Sequence, residues 1–140
     1  MAYCTQAQIE DRYSREDLIR YADADADGMP DADTVARAIT DADGLIDSML
    51  GGVFVVPIAA PIPPMVRAHA ISIAWYYLQL GRDSVTDSAK KAYDDAVAWL
   101  EGVAGGTIHV GLVPLPSGSS SAPTVQYDAQ PRAFGRDKAL

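Results

Sequence analysis

Between Val53 and Pro64 the chain sets four prolines, Pro57, Pro61, Pro63 and Pro64, among β-branched and small residues. Proline has no amide proton to donate and a fixed φ, so this stretch can neither continue a helix nor serve as a central strand. It has to be an extended, rigid crossover. The periodic segments on either side must pack across it.

On the amino-terminal side, Val35, Ala38, Ile39, Ala42, Ile46, Met49 and Leu50 recur at steps of three and four, the period of an amphipathic helix. That helix is expected from about Asp31 to Leu50, ended by Gly51-Gly52. On the other side, Pro63 and Pro64 suit a helix start, where a missing amide proton costs little. Met65 to Leu80 reads as the most apolar helix, with Val66, Ala70, Ile73, Ala74, Tyr77 and Leu78 on its face and Gly81 as its stop. Ser84 or Thr86 can cap a further helix to about Val103, with Ala89, Ala92, Tyr93, Ala96, Val97 and Leu100 as its buried stripe. Near the start, Thr5 followed three places later by Gln8 has the form of a capping box, with Ile9 and Tyr13 on one helix face. Ser14 with Asp17 repeats that signal ahead of Leu18, Ile19 and Tyr21. The expected fold is mainly all-α: a small bundle of four to five helices with a proline-rich crossover, a short β segment and an extended carboxy-terminal tail.

The β segment is Thr107-Ile108-His109-Val110-Gly111-Leu112, which alternates with a period of two. A lone strand needs a partner, and Val53 to Val56 or a neighbouring subunit would supply it. Pro114 to Pro123, with Ser117-Gly118-Ser119-Ser120-Ser121 inside, has linker composition. This divides the chain into a helical domain, 1–112, and a linker with a docking tail, 113–140. In the tail Val125, Tyr127 and Phe134 interleave with Arg132, Arg136 and Lys138.

A second feature is Asp23-Ala24-Asp25-Ala26-Asp27-Gly28-Met29-Pro30-Asp31. Carboxylates at every second position before a glycine read as the first half of a calcium loop, with ligands from the side chains of Asp23, Asp25 and Asp27, the carbonyl of Met29, and Asp31. Position 12 of such a loop needs a bidentate Glu, and Thr34 stands there, with the nearest acid, Asp33, one residue early. The same residues also make an acidic turn before a helix whose amino end favours negative charge. Calcium is the one cofactor the sequence points to, and a small calcium-binding helical module is the alternative function.

A chain of 140 residues is one domain's worth. A net charge of -8 with scattered Lys and Arg disfavours nucleic-acid binding, which needs clustered cations. One cysteine, Cys4, excludes an internal disulfide, and near a disordered start it reads as an incidental thiol. Pro57, Pro61, Pro63, Pro64, Arg67 and His69 argue against a membrane span in the most apolar stretch. The chain does not open with a signal-peptide pattern, so the protein is expected to stay where it is made. His69 and His109 have no partner placed by sequence, and Trp75-Tyr76-Tyr77 reads as core or subunit interface. With no phosphate-binding glycine loop, zinc spacing or nucleophile elbow, an enzyme is not expected.

The order of these features resembles a family: the head-completion, or head-to-tail joining, proteins of Mu-like tailed bacteriophages. The resemblance lies in the short helices, the Asp-rich loop, a helix ending Ile46-Asp47-Ser48-Met49-Leu50, the crossover, and a closing helix with Ala98-Trp99-Leu100-Glu101. The terminal Arg132-Ala133-Phe134-Gly135-Arg136-Asp137 is similar to the arginine-phenylalanine-arginine ending of those proteins. The chain departs from the pattern at Ala26 and Met29-Pro30, where a more glycine-rich or β-branched loop is expected. The resemblance implies a helical connector made in the host bacterial cytoplasm and placed in the neck of the virion. There it would form a ring of about twelve copies between the portal of the filled head and a tail-side neck or tail-terminator protein. DNA would pass through the ring without specific binding. The resemblance also implies that the tail reaches onto the portal, with Val125, Tyr127, Arg132, Phe134 and Arg136 as anchors.

Overall fold

The structure, a computed structural model, describes residues 2–117. It contains five helices: α1 (Gln6–Tyr13), α2 (Arg15–Ala22), α3 (Ala32–Leu50), α4 (Pro64–Leu80) and α5 (Asp87–Ala104). The expected mainly-α bundle is what forms.

Each short helix is started by a local device. The Thr5 hydroxyl accepts the Gln8 amide at 3.4 Å while the Gln8 side chain accepts the Thr5 amide at 3.1 Å, so two otherwise orphaned donors are satisfied reciprocally. Ser14 serves two helices. Its amide closes α1 on the Glu10 carbonyl at 2.9 Å, and its hydroxyl accepts the Asp17 amide at 3.2 Å to start α2. Thr86 caps α5 through the Ala89 amide at 3.3 Å, and the buried Gln79 accepts the Thr86 amide at 2.9 Å, tying the turn to the end of α4.

Helix α4 is the centre of the bundle and packs against α1, α2, α3 and α5. Val66, Ala70, Ile73, Ala74 and Leu78 are buried as the periodicity requires, and Ile71, Ser72, Trp75 and Gln79 are buried as well. A helix covered nearly all round needs no polar face, which explains why its sequence is apolar throughout. Trp75 stacks on Tyr13 at 4.3 Å between ring centroids and meets the edge of Tyr21, fixing the two short helices to α4. On α3 the buried side is Val35, Ala38, Ile39, Ala42, Ile46 and Leu50.

The crossover gives α4 the length to run back along α3. This places the chain's two kinds of connection at opposite ends. The Asp-rich loop leads into the start of α3 and lies by the end of α4, whereas the crossover and the segment after α5 share the other end.

The β expectation is corrected in position. Thr107 to Leu112 does not form a strand, and the pairing falls just beyond it, as an antiparallel bridge between Phe54 and Pro114. The Val55 amide donates to the Val113 carbonyl at 2.9 Å, and the Leu115 amide to the Val53 carbonyl at 2.8 Å. The partner expected from sequence, Val53 to Val56, is the one used. Ile108, Val110 and Leu112 still alternate inward, packed against the core, with His109 and Gly111 outward. They lie on the bundle as an extended strap. The strap's start is fixed by the Thr107 and Ile108 amides, which both donate to the Gly102 carbonyl, at 2.9 and 3.1 Å. Gly102 lets the strap come close: a Cβ there would stand 2.8 Å from Cδ1 of Ile108.

Candidate functional site

The loop from Asp23 to Asp31 is closed by its own carboxylates. Asp23 accepts the Asp27 amide at 3.1 Å through one oxygen and the Gly28 amide at 3.0 Å through the other. Asp25 accepts the Asp27 amide at 3.3 Å, and Asp27 accepts the Met29 amide at 2.7 Å. Gly28 has φ of +82°, a left-handed conformation that only glycine adopts without strain. Asp31 bridges the base of the loop, its carboxylate accepting the Ala24 amide at 2.8 Å and its amide donating to the Ala22 carbonyl at 2.8 Å.

One oxygen from each of Asp23, Asp25 and Asp27 lies within 4.8 Å of the others. Two oxygens on opposite sides of a Ca2+ ion are separated by about 5 Å, so three of the five expected ligands are gathered at a usable spacing. Of the other two, Asp31 gives one carboxylate oxygen to the Ala24 amide, and Met29, whose carbonyl is the expected ligand, leaves its side chain exposed. Thr34, at the place of the missing Glu, accepts the Arg37 guanidinium at 3.4 Å, which brings a cation to that side of the loop. Although desolvation, the largest single influence, acts the other way, the Gly28 amide, the neighbouring Asp25 and the Asp27 amide together hold the Asp23 carboxyl below the usual carboxylate range. Asp25 also accepts an amide, yet desolvation and the neighbouring Asp23, Asp27 and Asp31 push its carboxyl up.

The opposite end is held by buried contacts. Tyr3 is fully buried; its hydroxyl donates to the Asp47 carboxylate and accepts the Ile58 amide at 2.9 Å, and its own amide donates to Asp43 at 3.1 Å. One residue thus ties the chain start to α3 and to the crossover. Burial, then the Asp47 hydrogen bond, raises the Tyr3 phenol well above its usual value. Cys4 is 2% exposed, and burial followed by the Asp43 charge pushes its thiol up to about 12. The expected disordered start is therefore packed core, and Cys4 acts as a small apolar side chain. The sequence carried a signal for this: Cys4 immediately precedes the helix cap and Ile9 lies in the first turn, the spacing of a hydrophobic staple. Beside this anchor, Pro57, Ile58, Pro61, Pro63, Leu112 and Val113 line a groove of about 150 Å³.

A wider groove of about 410 Å³ runs between α3 and α4 at the loop end, past Arg37, Asp41, Tyr77 and Arg82. Arg82 donates to the carbonyls of Tyr21 and Asp23, clamping the end of α2 to the end of α4. Tyr77 is raised to about 12 by desolvation and by the neighbouring Tyr93 phenol. His69 packs its ring 4.6 Å from Trp99, and desolvation, then the Arg12 charge, lowers its pKa. His109 is exposed on the strap. Val125, Tyr127, Arg132, Phe134 and Arg136 lie outside the described residues. Among the described residues, no helix is long and apolar enough to cross a membrane.

These features define a small, mainly α-helical protein with an acidic body and two unlike ends. Its sequence matches the family model described as Bacteriophage Mu, Gp36 over residues 3–127, and the chain belongs to that family. It is 31% identical over 138 residues to Gene product J of Escherichia phage Mu, an alignment covering 97% of this chain and 96% of that protein. It is 34% identical over 110 residues to the Mu-like prophage FluMu protein gp36 of Haemophilus influenzae, covering 79% of this chain and 76% of that one. The chain is thus a phage protein of the virion and assembly class.

Proposed function

We propose that the protein is a structural ring adaptor of the virion neck, joining the portal of the filled head to a tail-side neck or tail-terminator protein. The observation that carries this reading is family membership across 3–127 combined with a compact helical body in a chain of net charge -8. An acidic wall repels phosphate, so DNA slides past it, whereas a basic wall would hold it. The tail beyond Ser117 reaches onto the portal, with Val125, Tyr127, Arg132, Phe134 and Arg136 as its anchors; aromatic and Arg side chains carry most interface energy. Counting copies in isolated particle necks by mass measurement tests the ring, and a single copy per neck would sink it. Removing Ser117 to Leu140 tests the tail: the expected result is a folded helical body that no longer joins heads to tails. Normal joining by the shortened chain would show that the tail is not the portal contact.

A second reading has one observation in its favour, the 4.8 Å grouping of Asp23, Asp25 and Asp27. In it the loop holds Ca2+ to stiffen the turn, weakly, because Thr34 supplies no bidentate carboxylate. Millimolar Ca2+ should then raise the melting temperature, and the rise should vanish in Asp25→Asn. No heat on titration and no shift in melting would remove it.

A further inference from the structure

Charge is unevenly spread over this protein. Residues 48–66 and 102–117 contain no Asp, Glu, Lys or Arg, although the chain as a whole carries 30 such residues (19 acidic plus 11 basic). The fold brings these two uncharged segments together, through the Phe54 to Pro114 bridge and the groove they both line. The result is an uncharged patch on an acidic molecule, at the end where Asp43 and Asp47 hold Tyr3.

That end is also apolar on its outside. Around the bridge, Val53 faces Leu115 and Val55 faces Val113, so all four side chains share one side of the two-stranded ribbon, opposite Phe54. They are 41% to 66% exposed, and they make up four of the seven large apolar side chains exposed among the described residues. Single exposed apolar residues need no explanation, but a cluster beside an apolar groove marks a contact surface.

We propose that this platform is the contact between copies of the chain, an inference that rests on the ring reading and names the surface that builds it. Charge selects the occupant. Two copies, each at -8, repel one another over most of their surfaces, and the uncharged patch is where they can approach at least cost. A basic partner would gain nothing there and would be drawn to the acidic faces instead. In a closed ring the platform of one copy meets a different surface on the next.

The test is sedimentation of the full-length chain over a concentration series, at low and high salt. The expected result is reversible self-association that strengthens with salt, because salt screens the repulsion and leaves the apolar contact intact. The double variant Val55→Asp with Val113→Asp should associate more than about tenfold more weakly while melting as the native chain does. Unchanged association in that variant, association that weakens with salt, or a native chain that stays monomeric throughout overturns the inference. A photo-crosslinker on Val113→Cys locates the occupant, since the buried Cys4 thiol is shielded from labelling. Cross-links to a second copy support the contact; cross-links only to residues 118–140 of the same molecule overturn it. The copy count in necks separates the two ideas: many copies with a failed Val55 and Val113 result leaves the ring and removes this contact.

Discussion

The two ends of the bundle are built by opposite means. The Asp23 to Asp31 loop is shaped by carboxylates bonding amides a few residues away, all in or near solvent, and among the described residues only Arg82 reaches its base from far along the chain. The crossover end is held by Tyr3 reaching 40, 44 and 55 residues along the chain, to Asp43, Asp47 and Ile58. A local device can be lost while the fold stays, because its partners remain close in sequence. A long-range tie is part of what makes the bundle one unit, so the crossover end should respond far more strongly to mutation.

The largest expected effect is therefore at Tyr3. Tyr3→Ala empties a fully buried aromatic site and should cost about 3–5 kcal/mol in urea unfolding. Tyr3→Phe keeps the ring but strands the Ile58 amide and the Asp47 carboxylate, and should cost about 1–3 kcal/mol. A neutral Tyr3→Phe would mean that the hydroxyl is not a tie and that packing alone holds this end. At the loop, Gly28→Ala meets no atom within 4 Å, so only the φ of +82° is penalised, at about 1 kcal/mol. If Gly28→Ala costs more than Tyr3→Phe, the contrast between the ends is reversed.

These expectations show why one end was legible in sequence and the other was not. Thr5 with Gln8, Ser14 with Asp17, and the alternating Asp23, Asp25 and Asp27 act over two to five positions, so spacing alone reveals them. The helical faces were legible for the same reason. Thr107 to Leu112 shows the limit: its alternation correctly gave which side chains turn inward, yet a ladder needs a partner at the right register. Here the register is set by the Gly102 carbonyl and by Ile108 lying on Gly102, which carries the strap past before it pairs at Val113. Tyr3 left no periodic trace because its partners are set by the folded arrangement of α3 and the crossover. The exposed platform was hidden for a related reason. Two uncharged runs far apart in sequence mean little until the fold joins them.

A smaller effect, on pH dependence, separates the ends further. Burial, opposed by the Tyr3 amide and aided by the Asp47 charge, holds the Asp43 carboxyl above its ordinary value. The folded state then binds this proton more readily than the unfolded chain, so stability falls as pH rises from about 4 through the raised value. Asp43→Asn keeps an oxygen for the Tyr3 amide and removes the charge. Its unfolding midpoint should vary less over that window, and above it should gain on the native chain. A native chain that gains on Asp43→Asn as pH rises would show that the carboxylate stabilises this end.

The smallest effect on stability tests the sharpest part of the contrast. Val55 and Val113 sit at the crossover end but on its outer side, 43% and 66% exposed, and only their backbone groups join the bridge. Val55→Asp and Val113→Asp should therefore each shift stability by no more than about 0.5 kcal/mol, although Tyr3, at the same end, is among the costliest positions. If either substitution destabilises the isolated chain by as much as Tyr3→Phe, these side chains belong to the core of their own molecule. The platform would then serve folding, and copies would have to meet elsewhere.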